Sequence, residues 1–276
     1  MPTAPPPGSA PEPAVLREVA VAAATAAGEL LLTFAADLAA GADLDVGHKS
    51  SATDPVSAAD AAAERAIVEH LLAAFPDDGI LGEEGQDPRE GTSGRTWVID
   101  PLDGTVNFLY GSPVWSVSIA CRDADGPVVA VVAQPTLGEV FHAARGLGAW
   151  LGDQRLHVRE VAEPAQTLVH TGFSYDVAIR TDWARDVRTL LGTFRDIRRP
   201  GSAALDLAWV AAGRADAFVE FGLGPWDWAA GHLLVLEAGG VVTEHRRHLG
   251  GQHLAGIVAG GQDAHDALVA TLELGP

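Results

Sequence analysis

The chain has one cysteine among its 276 residues. A single thiol excludes a disulfide framework and a cysteine-ligated zinc site. Cys121 sits in an apolar strand pattern and reads as a core residue. Positive charge is scarce as well. Lysine is nearly absent, and Lys plus Arg number 18 against 37 Asp plus Glu, for a formal net charge of -19. Such a field repels nucleic acid and anionic membranes, so neither is an expected partner. It also repels an anionic small substrate unless bound divalent cations reverse the sign locally. No apolar run approaches the ~20 residues a membrane helix needs, and no basic-then-apolar leader opens the chain. These absences predict a soluble cytoplasmic protein. What is present is ordinary for a globular chain, 47% hydrophobic and 20% charged. The length suits one large domain or two small ones.

Residues 1–13 are rich in Pro, Ala and Gly and predict a disordered tail. Between Ala14 and Ala40, Leu16, Val19, Ala23, Ala27, Leu30, Leu31, Phe34 and Leu38 recur at helical spacing. Gly47 to Asp54 is a polar connection carrying Lys49. Ser57 then reads as the N-cap of a second helix, with Asp60 in its first turn and Ile67, Val68, Leu71, Leu72 and Phe75 as its stripe. Ile80–Gly82 is a short strand running into Glu83 and Glu84. The 86–95 loop has no assigned role; a mobile lid is one reading.

Trp115–Arg122, Val128–Pro135, Glu139–Ala144 and Ala149–Val158 predict a mostly antiparallel meander. Beyond Pro164, strands alternate with helices. Strands are expected at Leu168–Phe173, Asp196–Arg199, Phe218–Phe221, Val241–Glu244 and Ile257–Ala259. Helices are expected at Asp182–Phe194, Ser202–Ala212, Pro225–Ala238 and Asp263–Leu272. The boundary falls near Val161. That divides the chain into an N-terminal α+β half, 14–161, and a C-terminal α/β half, 162–276.

Four acidic segments carry the chemistry. In Trp97-Val-Ile-Asp-Pro-Leu-Asp-Gly-Thr105, an apolar run ends in two carboxylates three residues apart. They cannot share a face of a strand that simply continues, and Pro101 stops the ladder and bends the chain. One reading is a strand delivering two metal ligands and then a phosphate-binding turn. The other is an Asx-type turn with solvated acids. Asp60 alone reads as a helix-dipole residue, and the Glu83–Glu84 pair as a solvated strand end. Asp227 lies between Trp226 and Trp228 near a helix start, where either a cap or a bound cation accounts for it. His245 and His248 read as part of a polar turn, and none of the ten histidines has a convincing ligand partner.

Taken in order, Gly82-Glu-Glu84, Asp100-Pro-Leu-Asp-Gly-Thr105 and Trp226-Asp-Trp-Ala-Ala-Gly231 resemble the inositol monophosphatase family. Lys49-Ser-Ser, Asp54-Pro-Val-Ser-Ala-Ala-Asp60 and Gly201-Ser-Ala-Ala-Leu-Asp-Leu207 follow its pattern too. The likeness runs from about Ala14 to the C-terminus. It implies a layered α/β fold (α+β layered), an αβαβα sandwich, and a homodimer. It implies Glu83, Asp100, Asp103, Asp227 and the Leu102 carbonyl as ligands for Mg2+, two or three ions per subunit, with Mn2+ as a substitute. Leu102 stands where Ile is commoner, but the ligand there is main chain. Asp60 would hydrogen-bond Thr105, and Glu83 with Thr105 would polarise the attacking water. Asp103, Gly104, Thr105, Gly201, Ser202, Ala203, Glu220 and Asp227 would meet the substrate. Glu220 also reads as part of a plain alternating strand, and Lys49 would lie near the metals.

The expected activity is Mg2+-dependent, Li+-sensitive hydrolysis of a small phosphate monoester, with myo-inositol 1-phosphate first. Hard oxygen ligands select Mg2+, and paired metals stabilise both the attacking and leaving oxygens of such a displacement. Histidinol phosphate, fructose 1,6-bisphosphate, adenosine 3′,5′-bisphosphate and NADP(H) are alternatives on the same framework. Tyr175, Asp176, Arg198, Arg199, Ser202 and Glu220 would decide among them. A non-catalytic binder of a phosphorylated ligand is the reading from another class.

Overall fold

The structure, a computed structural model, describes residues 11–41, 47–48, 55–56, 58–85 and 88–275. Lys49, the Ser57 cap and most of the expected tail lie outside these residues. The chain opens with helix α1 (Pro13–Ala39), the two-residue strands β1 (Gly47–His48) and β2 (Pro55–Val56), and helix α2 (Ala58–Ala74). A seven-stranded sheet follows in chain order. Its strands are β3 (Gly79–Gly82), β4 (Thr96–Asp103), β5 (Ser116–Asp123), β6 (Gly126–Gln134), β7 (Glu139–Ala144), β8 (Gly148–Leu151) and β9 (Gln154–Arg155), with the short helix α3 (Thr105–Leu109) after β4. Only β3 and β4 pair in parallel; the rest is the expected meander.

The remaining elements are β10 (Leu168–Thr171), α4 (Val177–Thr193), β11 (Asp196–Arg198), α5 (Ala203–Ala211), β12 (Ala217–Phe221), α6 (Pro225–Glu237), β13 (Val241–Leu249), β14 (Gln252–Gly260) and α7 (Gln262–Thr271). Their strands form a second sheet in the order β11-β10-β12-β14-β13.

Alternation along the strands stacks the layers. On β4, Trp97 and Ile99 face α1 and α2, joining Leu16, Ala20, Ala63, Ile67 and Leu71. Val98 faces the other way, onto α5 and α6. The inner face of the second sheet, through Phe218, Ile257 and Ala259, closes on those same helices. Its outer face, through Val169, Val219 and Val258, packs on α4 and α7. The result is the αβαβα sandwich that the resemblance implies. Cys121 is core, as expected, and burial pushes its thiol up to about 12.

Several expectations change. Pro101 does not end β4. The ladder pairs Asp100 with Ser118 and resumes with Asp103 on Ser116, three residues of β4 spanning two of β5. That one-residue bulge is the solution to the parity problem, because it turns both carboxylates to the same side. The Ala149–Val158 strand is two short pieces. Helix α4 starts at Val177 rather than Asp182, capped by Asp176, whose carboxylate accepts from the Ala178 and Ile179 amides. The last two strands are nine residues each, joined at Gly250-Gly251, whose φ angles of 57° and 80° suit a tight hairpin turn. His245 and His248 therefore lie within β13 and not in a turn.

Two further points concern the periphery. Arg89, in the 86–95 loop, exchanges backbone hydrogen bonds with Ile80 at 2.9 and 3.0 Å, so that part of the loop is pinned to β3. Helix α1 is long and apolar enough to cross a membrane, with a mean hydropathy of 1.8, contrary to the reading of the sequence. Leucine, valine and phenylalanine contribute to that value with the alanines, and one face, Leu16, Ala20, Ala24, Ala27 and Leu31, is buried against protein.

Candidate active site

A cavity of about 280 Å³ opens where β3 and β4 end and where α5 and α6 begin. The β3 end brings Glu83, whose amide donates to the Ile99 carbonyl at 3.1 Å. The preceding Gly82 lies against the buried Glu64 carboxylate, where a Cβ would overlap it. The β4 bulge brings Asp100 and Asp103. Asp100 accepts from the Leu102 amide at 3.0 Å, which fixes the turn locally. Asp103 Oδ2 takes two 2.7 Å bonds, from Ser202 Oγ and the Ala204 amide, at the start of α5. Ser116 Oγ lies 3.1 Å from Ser202 Oγ behind it. Asp227, in the first turn of α6, accepts from the Gly224 amide at 2.7 Å.

The Asp227 carboxylate therefore caps its helix and also faces the cavity. Each carboxylate of Asp100, Asp103 and Asp227 has an oxygen within 4.8 Å of the others, a group able to hold a metal ion. Glu83 hydrogen-bonds Asp100. Burial, then the charges of Glu83, Asp103 and Asp227, holds Asp100 well above the usual carboxylate range. Burial and then Asp103 raise Asp227 in the same way. Asp103 is raised to about 6 by burial, opposed by the bonds from Ser202 and Ala204. Carboxylates crowded out of water repel one another, and a hard divalent cation relieves both the repulsion and the desolvation. The donor set is all oxygen, so the residues fit such an ion.

Of the site residues anticipated from the resemblance, Glu83, Asp100, Leu102, Asp103, Gly104, Thr105, Gly201, Ser202, Ala203, Glu220 and Asp227 all line this cavity. Gly104 has φ of 95°, and a Cβ there would meet the Val114 and Gly201 carbonyls at 3.0 and 3.2 Å. Asp60 is fully buried in α2 and off the cavity wall, and the Thr105 hydroxyl donates to the Leu102 carbonyl at 3.1 Å. Ser202 is bound to Asp103 and caps α5, accepting from the Leu205 amide.

Two residues escaped the reading of the sequence. Asp206 lines the cavity from α5, and His170, on β10, holds it with Nδ1 2.8 Å from Asp206 Oδ1. A first-turn aspartate looks like an ordinary dipole residue, and only the crossing of β10 behind α5 brings the histidine to it.

Comparison with known proteins gives the family and the fold. Residues 12–274 match the inositol monophosphatase family. A Mycobacterium tuberculosis protein named inositol-1-monophosphatase SuhB is 43% identical over 275 residues, covering 95% of this chain and 94% of its own length. An Escherichia coli K12 protein named Nus factor SuhB is 40% identical over 255 residues, covering 92% and 94%. Among solved structures, the extragenic suppressor protein suhB of Bartonella henselae has a TM-score of 0.84 at 36% identity, covering 94% of this chain and 98% of that one. The inositol monophosphatase of Anabaena (Nostoc) sp. PCC 7120 has a TM-score of 0.79 at 34% identity, covering 95% and 97%.

Proposed function

The chain belongs to the inositol monophosphatase family, a family of phosphatases, and from that premise we propose Mg2+-dependent hydrolysis of a small polyol phosphate, with myo-inositol 1-phosphate as the first substrate. The observation that carries the metal is the convergence of Asp100, Asp103 and Asp227 within 4.8 Å in a buried wall. Glu83, these three and the Leu102 carbonyl would hold Mg2+, with Mn2+ as a substitute. When bound, the ion supplies a Lewis acid that neutralises the phosphate and stabilises the attacking and leaving oxygens.

The chain's own groups do the rest. Glu83, beside Asp100, and the Thr105 hydroxyl orient the water that attacks phosphorus. The Gly104 and Thr105 amides face the phosphate, and the left-handed backbone of Gly104 lets Val114 and Gly201 close behind it. Ser202 and Ala204 fix Oδ2 of Asp103, which leaves Oδ1 for the cation. Gly201, Ala203 and Glu220 border the leaving group. Asp60, off the wall, supports the site from α2.

Phosphate release from a panel of esters, with and without Mg2+, tests the reading. The panel holds myo-inositol 1-phosphate, histidinol phosphate, fructose 1,6-bisphosphate, adenosine 3′,5′-bisphosphate and NADP+. Preference for the inositol ester is expected. Preference for another member reassigns the substrate. Binding without release under any condition points to a non-catalytic phosphate binder. The likeness adds a homodimer, which sedimentation of the 28.6 kDa chain tests by its mass.

A further inference from the structure

Two carboxylates on the cavity wall stand outside the metal group, Asp206 and Glu220. Both are organised by β10 and the glycine that follows it. His170 holds Oδ1 of Asp206 and is itself buried, its ring edge-on to Trp209 with centroids 5.9 Å apart. Thr171 pairs with Val219, which sets Gly172 beside Glu220 on the neighbouring strand. A Cβ on Gly172 would overlap the Glu220 carboxylate, so only glycine leaves that side chain its place. The Glu220 carboxylate accepts no hydrogen bond from any described residue. His170 and Gly172 are two apart and point to the same side of the strand line.

We propose that His170 and Gly172 are positioning residues: Gly172 leaves room for Glu220, the acid that the family resemblance already sets against the hydroxyls of the leaving group, and His170 fixes Asp206 beside it as a second acceptor. This rests on the phosphatase reading and adds to it the part of the chain that selects the alcohol. A phosphate end held by cations accepts many esters, so discrimination must come from the alcohol side. Carboxylates only accept, and hydroxyls can donate to them. The positive charge is already supplied by the chain. The Arg199 guanidinium lines the same wall, and its charge opposes the burial that raises both acids, favouring their ionised, accepting form. Ordering the acids in advance spares the substrate that cost on binding.

Calorimetric titration separates this from a merely structural role. Myo-inositol 1-phosphate and inorganic phosphate are titrated separately into the full chain with Ca2+, whose coordination geometry is looser than that of Mg2+. In Gly172→Ala and His170→Phe, the ratio of the inositol phosphate Kd to the phosphate Kd should rise about 10- to 100-fold, the size of one or two charge-assisted hydrogen bonds. His170→Asn keeps a donor near the Nδ1 position and should restore most of the ratio. A ratio within about twofold of the parent in both disruptive variants overturns the inference. So does a parent protein that binds the two ligands equally, or His170→Asn no better than His170→Phe. Turnover is not read, so a chain that discriminates here but releases no phosphate contradicts the phosphatase reading alone.

Discussion

Asp103 Oδ2 is already committed to Ser202 and Ala204, and Asp227 Oδ2 to Gly224. Each side chain therefore reaches the cavity through a fixed carboxylate, which is how a metal site keeps its geometry. Asp100→Asn and Asp227→Asn should each lower Mg2+-dependent phosphate release about a thousandfold. Steady-state rates with stoichiometric metal binding check this, and full Mg2+-dependent activity in both would remove the ligand assignment.

The same acids set a pH dependence. The folded value of Asp103, about 6, exceeds its ordinary value of 3.8, so the native state binds the extra proton between them. Stability without metal should therefore fall as pH rises through that window, and the raised Asp100, Asp227 and Glu220 extend the fall upward, to about 8 for Glu220. Melting midpoints in chelator should be lower near about pH 8 than near about pH 5, and Mg2+ should raise them more at the higher pH, because it binds the deprotonated acids.

At the level of elements, the close contact of α5 and α6 aims Ser202 and Asp227 at one point. Gly231 makes that contact, since a Cβ there would overlap Leu207. Gly231→Ala should cost about 1–3 kcal/mol in denaturant unfolding and lower metal affinity with it. The first sheet has its own anchor. Asp78, fully buried, accepts from Arg95 at 2.6 and 3.2 Å and from Trp97 Nε1 at 2.9 Å. Asp78→Ala should destabilise the chain by about 3 kcal/mol, by leaving a mostly buried guanidinium and an indole donor unpaired. Urea unfolding measures both effects.

Elements with a strong local period were legible in the sequence. Helices α1, α2 and α6 and the meander fall within a few residues of expectation, because apolar spacing alone determines them. The features that differ from expectation are mostly non-local. The bulge in β4 depends on which residues of β5 oppose it. The start of α4 has only the Asp176 cap as a signal, and Gly250-Gly251 was a hairpin signal in plain sight. In the site, the acids before and after each turn could be ranked by resemblance. The Asp206–His170 pair could not, since 36 residues and an intervening strand and helix separate its members.

At the scale of the molecule, the proposed function asks a chain of net charge -19 to draw in a phosphate ester. Cations bound at this acidic wall would resolve that conflict, at the point of the five-layer sandwich where β4, α5 and α6 meet. Charge reversal by metal would then be a condition of both binding and chemistry. Phosphate release from myo-inositol 1-phosphate by metal-stripped protein, followed as Mg2+ is added stepwise, tests this most directly. Release should be negligible in chelator, rise with Mg2+ to a plateau, and vanish again on chelation. Release at full rate in excess chelator would contradict the account, as would none at any Mg2+ concentration.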